Sequence, residues 1–177
     1  MGFDGVIVLE EDICVVDLAY YFFSFTQRVS CGKCVPCRIG TTRMLEILAK
    51  IKKGLATRQD LENLKTLAST VKNTSLCEIG QTATDPILTS LKYFEDEYLA
   101  HVEKKQCPAL VCRALIIFEI NPDTCTGCGV CQPLCPTSAI EGEKKDTRAI
   151  KQELCIQCGR CFENCPAGAI FKANRYP

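Results

Sequence analysis

The chain has 177 residues, 21 Lys plus Arg against 21 Asp plus Glu, a single histidine and 15 cysteines. Zero net charge argues against a nucleic-acid binder, which needs a basic excess to neutralise phosphates. About 8.5% Cys puts sulfur and metal chemistry, not a large apolar core, at the centre of the fold. No apolar run approaches the roughly 18 residues of a membrane helix, because Asp17 interrupts residues 15–25 and Arg113 interrupts 109–118. The opening Met1-Gly-Phe-Asp-Gly5 lacks the basic flank and apolar stretch of a secretory signal. Position 6 is Val6, where an N-myristoylation motif wants Ser or Thr. A cytoplasmic chain keeps its thiols reduced, and dense cysteine there reads as metal binding; an odd number also cannot pair fully.

In chain order, residues 5–9 predict a short strand. Leu18, Tyr21, Phe22 and Phe25 predict a helix over 17–25. Met44, Leu45, Leu48 and Ile51 predict one over 41–53, ending at Gly54. Thr57-Arg-Gln-Asp60 has the form of a capping box, with Asp in the usual Glu or Gln position, and opens a helix carrying Leu61, Leu64, Leu67 and Val71. Asp85-Pro86 reads as an N-cap followed by an N1 proline, opening a helix with Leu88, Leu91, Tyr98 and Leu99 that runs toward His101. Four helices with short loops suggest a small bundle. Residues 114–118 read as a strand, after which residues 125–140 and 155–170 repeat at an offset of 30. The expected fold class is α+β: a four-helix bundle carrying a [4Fe–4S] cluster, then a ferredoxin-like two-cluster domain. The expected division is 1–12 (end of an upstream domain), 13–105 (bundle), 106–117 (linker with a zinc site) and 118–177 (ferredoxin domain).

The repeats are Cys125-x2-Cys128-x2-Cys131-x3-Cys135-Pro136 and Cys155-x2-Cys158-x2-Cys161-x3-Cys165-Pro166. Three thiolates spaced by three residues wrap one cubane, and the fourth points away toward the other. One cluster is therefore expected on Cys125, Cys128, Cys131 and Cys165, the other on Cys155, Cys158, Cys161 and Cys135. Gly127, Gly129 and Gly159 let backbone N–H groups approach the sulfides. The competing chemistry, a zinc ribbon of paired C-x2-C knuckles, does not call for two complete runs each ending in Cys-Pro. These residues resemble the two-cluster ferredoxin domain.

Residues 30–41 hold a third such loop, Cys31-x2-Cys34-x2-Cys37, with no cysteine at x3; a fourth ligand must come from afar, and Cys77 is the candidate. The stretch Ser30-Cys-Gly-Lys-Cys-Val-Pro-Cys-Arg38, the downstream Ser75-Leu-Cys77 and the opening Met1-Gly-x-x-Gly-Val-Ile-Val8 resemble the flavoprotein subunit of NADH dehydrogenases, the 51-kDa type of respiratory complex I. The resemblance implies that Cys31, Cys34, Cys37 and Cys77 hold a [4Fe–4S] cluster that takes electrons from FMN reduced by NADH. With the appended ferredoxin domain, the chain resembles the corresponding subunit of multimeric NAD(P)-linked [FeFe]-hydrogenases, electron-bifurcating ones included; NAD-dependent formate dehydrogenases have similar subunits. The implied partners are a thioredoxin-like 2Fe–2S subunit, a catalytic subunit and soluble ferredoxin. The family's FMN and NAD(H) site lies in a Gly-rich domain upstream, and this sequence has no GxGxxG or Walker A loop. The expectation is a C-terminal portion of a longer subunit, without flavin or nucleotide chemistry of its own. A stand-alone ferredoxin-like carrier is the reading from another class. Lys33 and Arg38 are either solvated loop residues or charges that raise the potential of the neighbouring cluster.

Three clusters use twelve thiolates and leave Cys14, Cys107 and Cys112, which with His101 make a Cys3His set, the composition of a structural zinc site. The alternatives are free buried cysteines, a mononuclear iron, or a fourth cluster with one histidine ligand.

Overall fold

The computed structural model describes residues 10, 12–143 and 146–176 and divides after Leu115 into two units. The strand expected at 5–9 lies outside the described residues. In the first unit, α1 (Val15–Val29) buries Val15, Val16, Ala19 and Phe23. This is not the stripe that the large apolar residues suggested: Tyr21 is 67% and Phe25 57% exposed. The segment has two apolar faces, and the one with the small Ala19 packs closest. Helix α2 (Thr41–Lys52) buries Met44, Ile47, Leu48 and Ile51, and α3 (Arg58–Thr74) buries Leu61, Leu64, Ala68 and Val71. Both follow the three-and-four spacing of an amphipathic helix. The Thr57 box is formed in full: the Asp60 N–H donates to the Thr57 hydroxyl, and the Thr57 N–H donates to the Asp60 carboxylate at 2.9 Å. That N–H holds the Asp60 carboxyl below its ordinary value.

The sequence predicts one helix from Asp85 to His101. The chain instead forms α5 (Asp85–Tyr93) and α6 (Glu95–Leu99), interrupted at Phe94, whose φ of −131° and ψ of 35° leave the helical region. Thr84 is the N-cap, and Asp85 is already in the first turn. The acids Glu95, Asp96 and Glu97 occupy the first turn of the new helix, where the helix dipole favours negative charge. Tyr98 is fully buried, with its hydroxyl 2.8 Å from that of Ser90. A short helix that the periodicity does not announce, α4 (Glu78–Thr82), starts after Cys77. Two single π-helical turns, Pro36–Gly40 and Ala100–Lys104, complete the unit. The segment expected as a linker is not free: Cys107, Cys112 and Leu115 belong to the same apolar core as α1, α2 and α3.

The second unit opens with β1 (Ile116–Ile120), two residues later than expected because Leu115 turns into the first unit's core. β1 pairs antiparallel with β4 (Ile170–Asn174), Ile120 opposite Ile170. β2 (Ile140–Glu141) pairs with β3 (Ala149–Ile150), Ile140 opposite Ile150. Helical turns α7 (Cys131–Leu134) and α8 (Arg160–Glu163) close the two cysteine runs. The duplication extends to individual hydrogen bonds: Asn121 N–H donates to the Ala169 carbonyl and Lys151 N–H to the Ala139 carbonyl, both at 2.8 Å.

Candidate metal and cluster sites

In the second unit each cavity takes its walls from both repeats. One is lined by Cys125, Cys128 and Cys131 of the first run and Cys165 of the second. Its twin is lined by Cys155, Cys158 and Cys161 of the second run and Cys135 of the first. The outlying sulfurs are held alike: Ala139 N–H donates to Cys135 Sγ at 3.2 Å and Ala169 N–H to Cys165 Sγ at 3.3 Å. The innermost thiols are also alike. Burial pushes Cys131 up and Cys161 up to about 11. At the mouth of the first cavity the Val130 N–H holds Cys128 below its ordinary value.

In the first unit, Cys31 is exposed, Cys34 half-buried, Cys37 buried and Cys77 exposed. The turn Pro36–Gly40 carries Cys37 into α2, and Ser30 Oγ lies 3.2 Å from Cys37 Sγ. The segment leading to Cys77 folds against this loop. The backbone N–H groups of Leu76 and Cys37 hold the Cys34 thiol below its ordinary value. The approach is close: a Cβ at Gly80 would lie 2.5 Å from the Ser75 side chain and 3.4 Å from Cys37 Cβ. Ser75 Oγ is buried there without a hydrogen-bond partner. Arg38 donates to the Gly32 carbonyl at 2.8 Å and so closes the loop on itself; no described contact ties Lys33 to the site.

The remaining set converges most tightly. The ligand atoms of Cys14, His101, Cys107 and Cys112 all lie within 4.8 Å of one another, and the four residues are 0–3% exposed. Cys14 Sγ is 3.3 Å from His101 Nε2 and 3.7 Å from Cys112 Sγ, and Cys112 Sγ is 3.5 Å from His101 Nε2. His101 Nδ1 sits 2.7 Å from the Glu97 carbonyl. A carbonyl can only accept, so Nδ1 carries a proton, and Nε2 is the ring atom that faces the sulfurs. Burial opposes charging the ring, but hydrogen bonds to Cys107 and Cys14 outweigh it and raise His101 to about 10. Among the thiols, hydrogen bonds from Cys112 and Cys14 hold Cys107 far down, and its hydrogen bond in turn pushes Cys112 far up. Three sulfurs this close do not all ionise without a cation between them.

Spacing alone does not single out Ser75, Gly80 or Arg148. Arg148 is 6% exposed and lines the Cys125 cavity; superposing the repeats, which sets Arg148 against Phe118, is the signal that finds it.

Taken together, cavities lined by cysteines in the ferredoxin spacing are those of an iron–sulfur protein. Residues 17–101 match the NADH-ubiquinone oxidoreductase-F iron–sulfur binding region, and residues 124–169 a 4Fe–4S dicluster domain. The chain thus carries an iron–sulfur binding region like that of NADH-ubiquinone oxidoreductase F, followed by a 4Fe–4S dicluster region. It is 50% identical over 145 residues to the NADP-reducing hydrogenase subunit HndC of Solidesulfovibrio fructosivorans, covering 82% of this chain and 30% of that protein. Over 108 residues it is 35% identical to an NADH-quinone oxidoreductase subunit of Mycobacterium tuberculosis, covering 61% and 24%. The beta subunit of the NADP(+)-dependent formate dehydrogenase of Moorella thermoacetica is 33% identical over 96 residues, covering 54% and 14%. Among solved structures, an NAD+-reducing [NiFe]-hydrogenase in the H2-reduced state matches with a TM-score of 0.52 at 31% identity, covering 54% of this chain and 16% of that one. The chain thus spans under a third of the length of these relatives. Among the described residues no helix is long and apolar enough to cross a membrane.

Proposed function

We propose that this chain relays single electrons through three [4Fe–4S] clusters, between a flavin site elsewhere in a cytoplasmic NAD(P)-linked oxidoreductase and a partner subunit or soluble ferredoxin. The observation that carries the reading is the exchanged wall: three cysteines from one run and the fourth from the other, twice. This is the pattern that two cubanes in a duplicated domain require. The donor sets fit the groups. Cys125, Cys128, Cys131 and Cys165 would hold one cluster, and Cys155, Cys158, Cys161 and Cys135 the second. Cys31, Cys34, Cys37 and Cys77 would hold the third, at the place where Gly80 keeps a cradle open and Ser75 Oγ is left without a partner. When bound, each cluster supplies storage for one electron with no bond made or broken. The protein's own part is to hold sulfurs with backbone N–H groups, to exclude water around Cys131 and Cys161, and to place charge.

Cys14, His101, Cys107 and Cys112 fit a structural zinc ion. A tetrahedral ion with bonds of about 2.3 Å to sulfur and 2.0–2.1 Å to nitrogen sets S···S at about 3.8 Å and S···N at about 3.6 Å. Among Cys14, Cys112 and His101 the separations are 3.7 Å and 3.3–3.5 Å, and with Cys107 all four ligand atoms lie within 4.8 Å of one another. A cubane needs its cysteine sulfurs on separate corners and much farther apart, so a fourth cluster does not suit this set. The Glu97 carbonyl on His101 Nδ1 is the supporting contact that zinc-bound imidazoles have. Such an ion would fix the segment just before the second unit.

Hydrogen or formate as the terminal substrate is supported by the names of two relatives, an NADP-reducing hydrogenase subunit and an NADP(+)-dependent formate dehydrogenase subunit; FMN and NAD(H) would bind outside these residues. Iron, sulfide and zinc content of anaerobically purified protein, with EPR after dithionite reduction, tests the assignment. About twelve iron, twelve sulfide and one zinc per chain are expected. About eight iron would remove the Cys31 cluster, and with it the main support for a flavin donor. Co-purification with a flavin-bearing chain separates the relay from a stand-alone carrier.

A further inference from the structure

The two repeats of the second unit differ at one buried place beside their cavities. At the 30-residue offset, position 118 corresponds to 148 and Gly129 to Gly159. The geometry respects that correspondence. A Cβ at Gly159 would lie 3.6 Å from Phe118 Cζ, and a Cβ at Gly129 would lie 3.0 Å from Arg148 Nη2. Phe118 lines the Cys155 cavity and Arg148 the Cys125 cavity; the two residues are 3% and 6% exposed. The same position therefore offers an aromatic ring to one cavity and a guanidinium, charged at every accessible pH, to the other.

That guanidinium is short of partners. Its Nη1 donates to the Gly142 carbonyl, and its Nε is buried with no hydrogen-bond partner. None of the ion pairs among the described residues includes it. A buried cation without a carboxylate is costly unless something anionic stands nearby, and four thiolates around an iron–sulfur core are such a neighbour.

We infer that Arg148 is the residue that makes the twin sites unequal, setting the cluster on Cys125, Cys128, Cys131 and Cys165 at the higher potential so that it is the one reduced first. The inference rests on the proposed cluster occupancy. Each added electron makes a cluster more negative, and a fixed cation in a poorly screened interior favours that state. Arg160 lines the Cys155 cavity but is exposed, so water and salt screen its charge. The step favoured is the passage of one electron from the Cys155 site to the Cys125 site; no proton moves and no bond forms or breaks. Arg148 is thus a positioning charge that gives the pair a direction.

The test is a redox titration of the full iron-loaded protein followed by EPR, comparing wild type with Arg148→Gln, Arg148→Lys, Arg160→Gln and Phe118→Arg. Arg148→Gln should lower one of the two C-terminal potentials. At fixed ambient potential, its reduced-to-oxidised ratio should fall about tenfold, which is 59 mV for a one-electron couple. Arg148→Lys should restore most of that ratio, and Arg160→Gln should move the other cluster by a smaller factor. Phe118→Arg should raise the potential of the cluster that Arg148→Gln leaves alone; it decides the matter independently if Arg148→Gln does not load iron. Unchanged potentials in a loaded Arg148→Gln protein, or a Phe118→Arg protein without a rise, overturn the inference. Failure of the cluster reading itself is seen separately, as wild-type iron content about eight atoms short before any potential is read.

Discussion

The two units solve the same problem, filling a small interior, by different means. The first packs side chains from α1, α2, α3, α5 and α6 into one core in which Met44, Leu48, Ile51, Leu64 and Ile87 are fully buried. The second, Ile116–Arg175, buries only a handful of apolar side chains, among them Phe118, Ile140 and Ile170. Its centre is two cysteine-lined cavities and two short strand pairs. A domain of about 60 residues draws only marginal stability from its apolar core, and a metal or a disulfide is a common supplement. The contrast teaches that the proposed clusters would play different parts: in the second unit they would fill the centre, and in the first the Cys31 cluster would sit beside a core of side chains.

The sharpest way to break this contrast is to remove iron. With a chelator under reducing conditions, the second unit should lose protection of the Asn121 and Lys151 amides in hydrogen exchange while α2 and α3 keep theirs. Persistent protection of both amides would show that side chains suffice. Next in size is the Cys3His set. His101→Ala should take the zinc content from about one per chain to near zero and strip the first unit of part of the roughly 10–16 kcal/mol that structural zinc supplies. The expected readouts are a lower thermal midpoint and faster proteolysis around residues 105–115; a variant that keeps its zinc would show that His101 is not a ligand. Leu64→Ala, at a fully buried site, should cost the first unit about 2–5 kcal/mol in denaturant unfolding without changing the iron bound by the second. The smallest effect is at the α3 cap. Thr57→Ala should cost about 1 kcal/mol. The Thr57 N–H, which alanine keeps, depresses the folded-state pKa of Asp60, so the stabilisation from that contact is present above the ordinary carboxylate pKa of about 3.9 and is lost as pH falls through the lower folded value, in the variant as in the wild type. A melt that does not respond to Thr57→Ala at neutral pH would refute the cap's contribution.

Much of the site was legible in sequence because thiolate spacing is itself geometry: a residue every third position fixes a loop, and the Cys-Pro that follows ends it. Cys14, His101, Cys107 and Cys112 were found by subtraction, and their side chains meet although 98 residues separate the first from the last. The helix at Thr57 was legible down to its cap. What spacing could not decide was which of two apolar faces α1 would bury, since Tyr21 and Phe25 are as hydrophobic as Val16 and Phe23. Nor could it foresee the break at Phe94, because the apolar period continues across it and only packing of Tyr98 registers the interruption. Arg148 escaped because one charged residue in a polar turn looks like a solvated one until the repeats are superposed. The two π-helical turns also carry no sequence mark, yet each holds a candidate ligand, Cys37 in one and His101 in the other. Such insertions re-aim a side chain without ending the helix.

The pairing of β1 with β4 and the exchanged fourth cysteine have a consequence for how the molecule is made. The Cys125 cavity lacks a wall until Cys165 has been added, and β1 lacks its neighbour until Asn174 is in place. A ribosome adding roughly 5–20 residues per second leaves the helical unit free to collapse while the second unit is still an open string of thiols. Closure of that unit therefore waits for β4, and the proposed clusters would form as that strand pairs. Without Cys165 and β4, the first run would present open thiols in place of a closed cavity.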